Sequence, residues 1–188
     1  GDRVADRVLL ARKSHATIGL DIGSRRQAVV VANLRGEAIA TLEESRQLPV
    51  NGAALIVHLE GLIDRAVEQS ALADSDVLGV CAAFRAIVDT EPGVIIRGPE
   101  ASCTAESWFN VPVRDELLRR LPWDVVIIED TVRVLATAEA RHGFGACGAD
   151  FVYVLVDSGV GAAIIIDGKP YVGPSGLSGE FGHITINP

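Results

Sequence analysis

Short runs in which apolar and small residues dominate open the legible part of the chain, at residues 16–21 and 27–32, with a weaker third at 37–42. Asn33-Leu-Arg-Gly36 stands between the last two and has the residue types of a tight hairpin turn, so three successive antiparallel strands are predicted. The period then changes. Over residues 52–70, Leu55, Ile56, Leu59, Leu62, Ile63, Ala66 and Val67 recur at every third or fourth position, which predicts an amphipathic helix facing one side of the sheet. Asn51 is placed to cap it. Residues 77–83 predict a buried strand, while 84–109, rich in Gly, Pro and Ser, read as an irregular crossing of the surface. Pro112 suits the first turn of a short helix reaching Leu121. The β-branched run 125–128 predicts a strand buried on both faces, ending in Glu129-Asp130 just where a helix over 131–141 begins. Residues 143–149 form a glycine-rich break, expected to act as a hinge, and a second strand set opens at Phe151. Alternating strands and helices predict a mixed α/β sheet flanked by helices, with a first α/β domain over 16–142 and the start of a second over 143–188.

Composition narrows the function classes. With 188 residues, 48% apolar and 22% charged, the chain can bury a substantial core. Its net charge of −8 argues against nucleic-acid binding by these residues, so any contact with DNA needs a basic module elsewhere. Cys81, Cys103 and Cys147 are odd in number and form no C-x-x-C pair, which argues against a disulfide framework or a complete zinc site and points to a reducing cytoplasm. No run of about 18 apolar residues suggests a membrane span, and no signal-peptide core is seen at the N-terminus. The absence of methionine and the start at Gly1 lead us to expect a piece of a longer product.

The candidate chemistry lies in three glycine-containing turns. The turn Gly173-Pro-Ser-Gly-Leu-Ser-Gly-Glu-Phe-Gly-His183 delivers Glu180 and His183 three residues apart, able to hydrogen-bond a polyol or hold a metal. Leu20-Asp-Ile-Gly-Ser24 and Val156-Asp-Ser-Gly-Val-Gly161 each follow the first strand of one half. Backbone amides in such turns can cradle phosphate oxygens, and their Asp can hold a metal-bound water. Asp-x-Gly turns are also ordinary hairpin connections, and it is their duplication that draws notice.

With these residues in hand, the chain resembles the ROK family (repressors, open reading frames, kinases), whose fold is the actin-like, ribonuclease-H-like ATPase fold. Leu20-Asp-Ile-Gly-Ser24 resembles the family's first phosphate loop, D-I-G-G-T, and the segment from Gly79 to Asp89 occupies the place of G-V-P-G-P-V-D. Ile128-Glu-Asp-Thr-Val-Arg133 resembles E-N-D-A-N-A, and the stretch from Asp157 resembles the second phosphate loop. The most specific match is Ile166-Asp-Gly-Lys-Pro-Tyr-Val-Gly173 followed by Gly179-Glu-Phe-Gly-His183.

The resemblance implies a set of roles. Asp130 would be the general base of a sugar kinase, and Glu129, Asp130, Glu180 and His183 would contact sugar hydroxyls. Asp21, Gly23, Ser24, Ser158, Gly159 and Gly161 would line the nucleotide site, with Mg-ATP as cofactor only in a kinase. His183 would be a zinc ligand, its partner cysteines lying in a segment that normally follows downstream, so zinc is expected only in the full-length protein. Asp130 can equally be no more than a helix cap, and Asp21 a turn residue. His15, His58 and His142 match nothing in the family and are expected to be surface or structurally satisfied residues.

The departures from the family pattern favour regulation over catalysis. Arg25 and Arg26 bring bulk to the first loop, Cys81-Ala-Ala-Phe84-Arg85 replaces a flexible glycine segment, Glu129 and Val132 replace asparagines, and Asp157 adds negative charge to the second loop. The leading expectation is the sugar- or sugar-phosphate-binding domain of a transcriptional regulator. In it, residues 1–15 are a linker from an upstream DNA-binding module, and the chain assembles as a homo-oligomer, a dimer being expected. An ATP-dependent sugar kinase is the alternative, and a domain retained only as an interaction surface is the third.

Overall fold

The computed structural model describes residues 15–98, 108–157, 159–174 and 176–186. Residues 1–14, which hold all but the last position of the expected linker, and Ser158 of the second loop lie outside the described residues, as does Cys103. Strands β1 (Ala16–Ile22), β2 (Arg26–Asn33) and β3 (Ala38–Ser45) form the antiparallel meander read from the sequence. Its second turn closes through Gly36 N–H to the Asn33 carbonyl at 2.9 Å, while Asn33 Oδ1 accepts from the Arg35 and Glu37 amides. Alternation along β1 is complete: Ala16, Ile18, Leu20 and Ile22 face the core, and Thr17, Gly19 and Asp21 face outward.

Helix α1 (Gly52–Ser70) lies on the inner face and buries Leu55, Ile56, Leu59, Leu62, Ile63 and Ala66. Each of the Leu and Ile side chains contributes about 1.5–3 kcal/mol when fully removed from water, which outweighs any intrinsic helix propensity here. Asn51 caps the helix, its Oδ1 accepting from the Ala54 amide at 2.8 Å. Strand β4 (Val77–Phe84) pairs parallel to β1.

The segment read as irregular instead contains three short strands, β5 (Ile87–Asp89), β6 (Val94–Arg97) and β7 (Phe109–Val111), hydrogen-bonded in that order as a small antiparallel sheet. Runs of three and four residues are too short to show a period. What anchors them is tertiary: Trp108, 1% exposed, sits edge-to-face on Phe84, and its indole N–H donates to the Pro49 carbonyl. Helix α2 (Val113–Leu118) is shorter than expected and closes with the Arg120 and Leu121 amides both donating to the Leu117 carbonyl.

Strand β8 (Val126–Asp130) completes a five-stranded sheet of order β3-β2-β1-β4-β8 and is parallel to β4. It is not buried on both faces, since Ile127 is 49% exposed and Val125 just before it 50%. Among the described residues no element covers the face on which Ile127 lies, while Val126 and Ile128 turn to the core. Helix α3 (Thr131–His142) follows directly and turns its apolar stripe toward a second sheet, with strands β9 (Phe151–Val156), β10 (Val160–Ile166) and β11 (Lys169–Pro170) in the order β11-β10-β9. Val132 and Ala136 of α3 pack with Ala163 and Ile165 in a small separate cluster. The glycine break between α3 and β9 is a short helical turn over Phe144–Cys147. No described helix is long and apolar enough to cross a membrane.

Candidate functional site

Three strand ends meet on one line. The register pairs Ile22 with Phe84 and Phe84 with Asp130, so parallel β1, β4 and β8 run out together at their carboxyl edge. In open α/β sheets this edge is where ligands are held. From it project Asp21 and the turn after β1, Arg85 after β4, and Glu129-Asp130 at the end of β8.

The turn after β1 is tight. Gly23 N–H donates to the Arg26 carbonyl at 3.1 Å, and a Cβ on Gly23 would stand 2.8 Å from that oxygen, so only glycine fits without a shift. Fully buried Gln27 supports the turn from beneath, its Nε2 donating to the Gly23 and Arg46 carbonyls at 3.0 and 2.9 Å. Ser24 is half-buried and Asp21 exposed, with Asp21 Oδ1 only 3.5 Å from Thr131 Oγ1. Arg26, expected to crowd this loop, instead pairs with Glu43 on β3 at 2.6 Å.

In the second loop the Asp157 amide donates to the Gly159 carbonyl at 2.9 Å, and Gly161 is not in the turn but inside β10, beside Val132. Arg85 spans the two loops. Its guanidinium forms an ion pair with Asp157 and also approaches Gly23, its Nε 3.8 Å from the position a Cβ would take there. The negative charge entered in the second loop is thereby neutralised from within the molecule.

Glu129 and Asp130 have different surroundings. Asp130 is the N-cap of α3, Oδ1 accepting from the Arg133 amide at 3.0 Å. Burial pushes its carboxyl above the usual range, the Arg133 interactions oppose this, and the nearby charge of Glu180 adds to the rise. While capping α3, the Asp130 carboxyl also remains within reach of the charge of Glu180. Glu129 turns inward, and its Oε1 accepts from the Asp130 amide at 2.8 Å and from Arg133 Nε at 2.7 Å.

Glu180 and His183 belong to a short helical turn laid against β10. Gly179 makes that approach feasible: φ is +98°, its carbonyl accepts from the Ala162 amide at 2.9 Å, and a Cβ would come within 2.0 Å of the Ala162 carbonyl oxygen. Glu180 Oε2 lies 3.8 Å from His183 Nε2. His183 is exposed, and among the described residues no three His, Cys, Asp or Glu side chains gather as a metal would need.

Of the residues predicted from sequence, Glu180 is near enough for its charge to act on Asp130, Glu129 precedes Asp130 at the end of β8, and His183 lies 3.8 Å from Glu180; Asp21, Gly23 and Ser24 sit along the strand edge, Gly159 in the second turn and Gly161 on the second sheet. Sequence reasoning missed Arg133, Gln27 and the bridging role of Arg85. The first two are polar positions inside a helix and a strand, and only their complete burial marks them.

Comparison with known proteins places this geometry. The model of a family described as the ROK family matches residues 17–188. The xylose repressor of Caldicellulosiruptor bescii is 30% identical over 172 residues, 90% of this chain and 41% of the repressor. The glucokinase of Halalkalibacterium halodurans is 23% identical over 91% of this chain and 50% of its own length. Among solved structures, a ROK family glucokinase from Streptomyces griseus in complex with glucose and AMPPNP superposes with a TM-score of 0.78 at 26% identity, covering 92% of this chain and 51% of that one. The chain therefore spans about half the length of these relatives or less.

Proposed function

Because the chain belongs to the ROK family, we propose that it is the sugar- or sugar-phosphate-binding part of a transcriptional regulator, DNA being held by a module outside these residues and the protein working as a homo-oligomer. The observation that carries this reading is the ion pair between Arg85 and Asp157, which links the end of β4, beside the first turn, to the second turn, the two turns where the family resemblance puts nucleotide phosphates. An incoming phosphate would compete with Asp157 for Arg85, and without a cation between them it would meet the negative charge of that carboxylate.

The carboxylates at the carboxyl edge of the sheet suit a polyol. Asp130 and Glu180 can accept from sugar hydroxyls, and His183 can donate or accept at the rim. A sugar bound between the two sheets would favour one closure about the glycine break at 143–148, and it can shift that equilibrium only by its differential affinity for the two closures. That closure would be the signal passed to a DNA-binding module.

Calorimetric titration of the full-length product against hexoses, amino sugars and pentoses tests this. Binding of at least one sugar is expected, weakened about tenfold or more by Glu180→Ala, a loss of some 1.4 kcal/mol or more, with thermal unfolding unchanged. Undiminished binding by the folded variant would remove Glu180 from the site. A kinase is the second reading, favoured by the raised pKa of Asp130, which suits a general base, and by the likeness to a glucokinase. Sugar-dependent ATP consumption abolished by Asp130→Asn would establish it over the first.

A further inference from the structure

Arg133 stands in the first turn of α3, three residues after the N-cap Asp130, where a cation opposes the helix dipole. It is nonetheless 3% exposed, so something must offset both the dipole and the loss of water. Three acceptors do so. Nε donates to Glu129 Oε1 at 2.7 Å, Nη1 to the Gly176 carbonyl at 3.0 Å, and Nη2 to the Val88 carbonyl at 3.4 Å. These come from three places: the end of β8, the glycine turn that leads into Glu180, and β5 in the small antiparallel sheet. The planar guanidinium thus fastens the turn carrying Glu180 to the strand end carrying Asp130.

We propose that Arg133 is a positioning residue. It fixes the glycine turn over 173–180 so that Glu180 stays beside Asp130, and Glu129 acts through Arg133, its carboxylate being spent on the guanidinium and the Asp130 amide instead of on a sugar. This deepens the sugar-binding reading by removing Glu129 from the ligand contacts, and it rests on that reading only for the identity of the ligand.

The test is hydrogen exchange in the full-length protein, followed at the amides of Gly176, Ser178 and Glu180, which the turn holds on the Gly173, Val172 and Leu177 carbonyls. Replacing the pair together, Glu129→Met with Arg133→Met, exchanges the buried guanidinium and its half-buried carboxylate for apolar groups of similar size without leaving either charge unpaired. The expected result is exchange at least about tenfold faster in those amides and unchanged in β1 and β2. Arg133→Lys is expected not to restore protection, because an ammonium lacks the planar fork that reaches three acceptors. Wild-type exchange in the turn of the folded double variant, a uniform rise throughout the molecule, or full protection in Arg133→Lys would each overturn the proposal. If the double variant does not fold, Arg133→Lys decides alone. Titration of the same proteins with glucose, xylose and N-acetylglucosamine reads the sugar clause separately: no binding by the wild type sinks the functional reading, while the exchange result still decides the role of Arg133.

Discussion

At Asp130 one carboxylate serves two ends, and a pair of substitutions separates them. Asp130→Ala removes the cap on the Arg133 amide and should cost about 1 kcal/mol of stability. Asp130→Asn keeps a capping oxygen but loses the charge, so thermal unfolding should stay near wild type while sugar binding weakens. Equal loss of stability in both variants would contradict this division. His58 offers a second residue-scale prediction. Its side chain is 9% exposed and lies 3.6 Å from Glu44, yet neither His58 Nε2 nor Glu44 Oε1 has a hydrogen-bond partner, because Glu44 is committed to Arg65 at 2.7 Å. Burial lowers the pKa of His58; Glu44 opposes this, and Arg46 and Arg65 reinforce it. A folded pKa below the unfolded one means that the neutral imidazole's contribution is intact above the ordinary value of about 6.5 and is lost as pH falls from there through the folded pKa. Denaturant titrations from pH 7.5 to pH 5 should show that decline, and His58→Gln should flatten it.

At the scale of elements, the glycine turn before Glu180 depends on close backbone approach. Gly179→Ala puts a methyl group into the Ala162 carbonyl and a left-handed φ on an L side chain, so about 1–3 kcal/mol of strain should lift the turn from β10. Loss of sugar binding with the large sheet intact by circular dichroism is the expected signature, and binding at wild-type affinity would contradict it. This turn was legible in the sequence because its glycines, Glu180 and His183 stand at fixed spacing. The meander and α1 were legible for a different reason: periods of two and of about 3.6, a hairpin turn and an Asn cap all agree locally. Strands β5 to β7 were not, since runs of three or four residues are specified by Trp108 and Phe84 packing from outside the run. The faces of β8 were misread because a β-branched run states strand preference without stating what covers it. Arg133, Gln27 and Arg85 were missed because a polar residue in mid-element looks solvated until tertiary contacts bury or pair it.

The whole molecule is uneven in its support. The first sheet with α1, α2 and Trp108 shares one large apolar cluster, whereas among the described residues the second sheet and α3 share a small one, built on Val132, Ala136, Ala163 and Ile165. Residues 151–166 should accordingly open before β1 and β4, and hydrogen exchange in mild denaturant should show their protection vanishing first. Simultaneous loss across both sheets would mean that α3 couples them into one cooperative unit. We further propose that the two halves move about the glycine break, with the contacts of Arg85 and Arg133 across them setting how far they part.

The edge-to-face pair of Trp108 and Phe84 has a practical consequence at this scale. Phe84 is the last residue of β4, adjacent to Arg85 and in register with Asp130, so the shielded indole of Trp108 is one ring contact away from the strand edge where ligand is proposed to bind. The other indole, Trp123, is bonded to the Asp74 carbonyl beyond the amino end of β4. The protein thus carries its own optical reporter: a Trp123→Phe variant would leave emission from the Trp108 neighbourhood, so that opening of the cleft can be timed by stopped-flow fluorescence without attaching a dye.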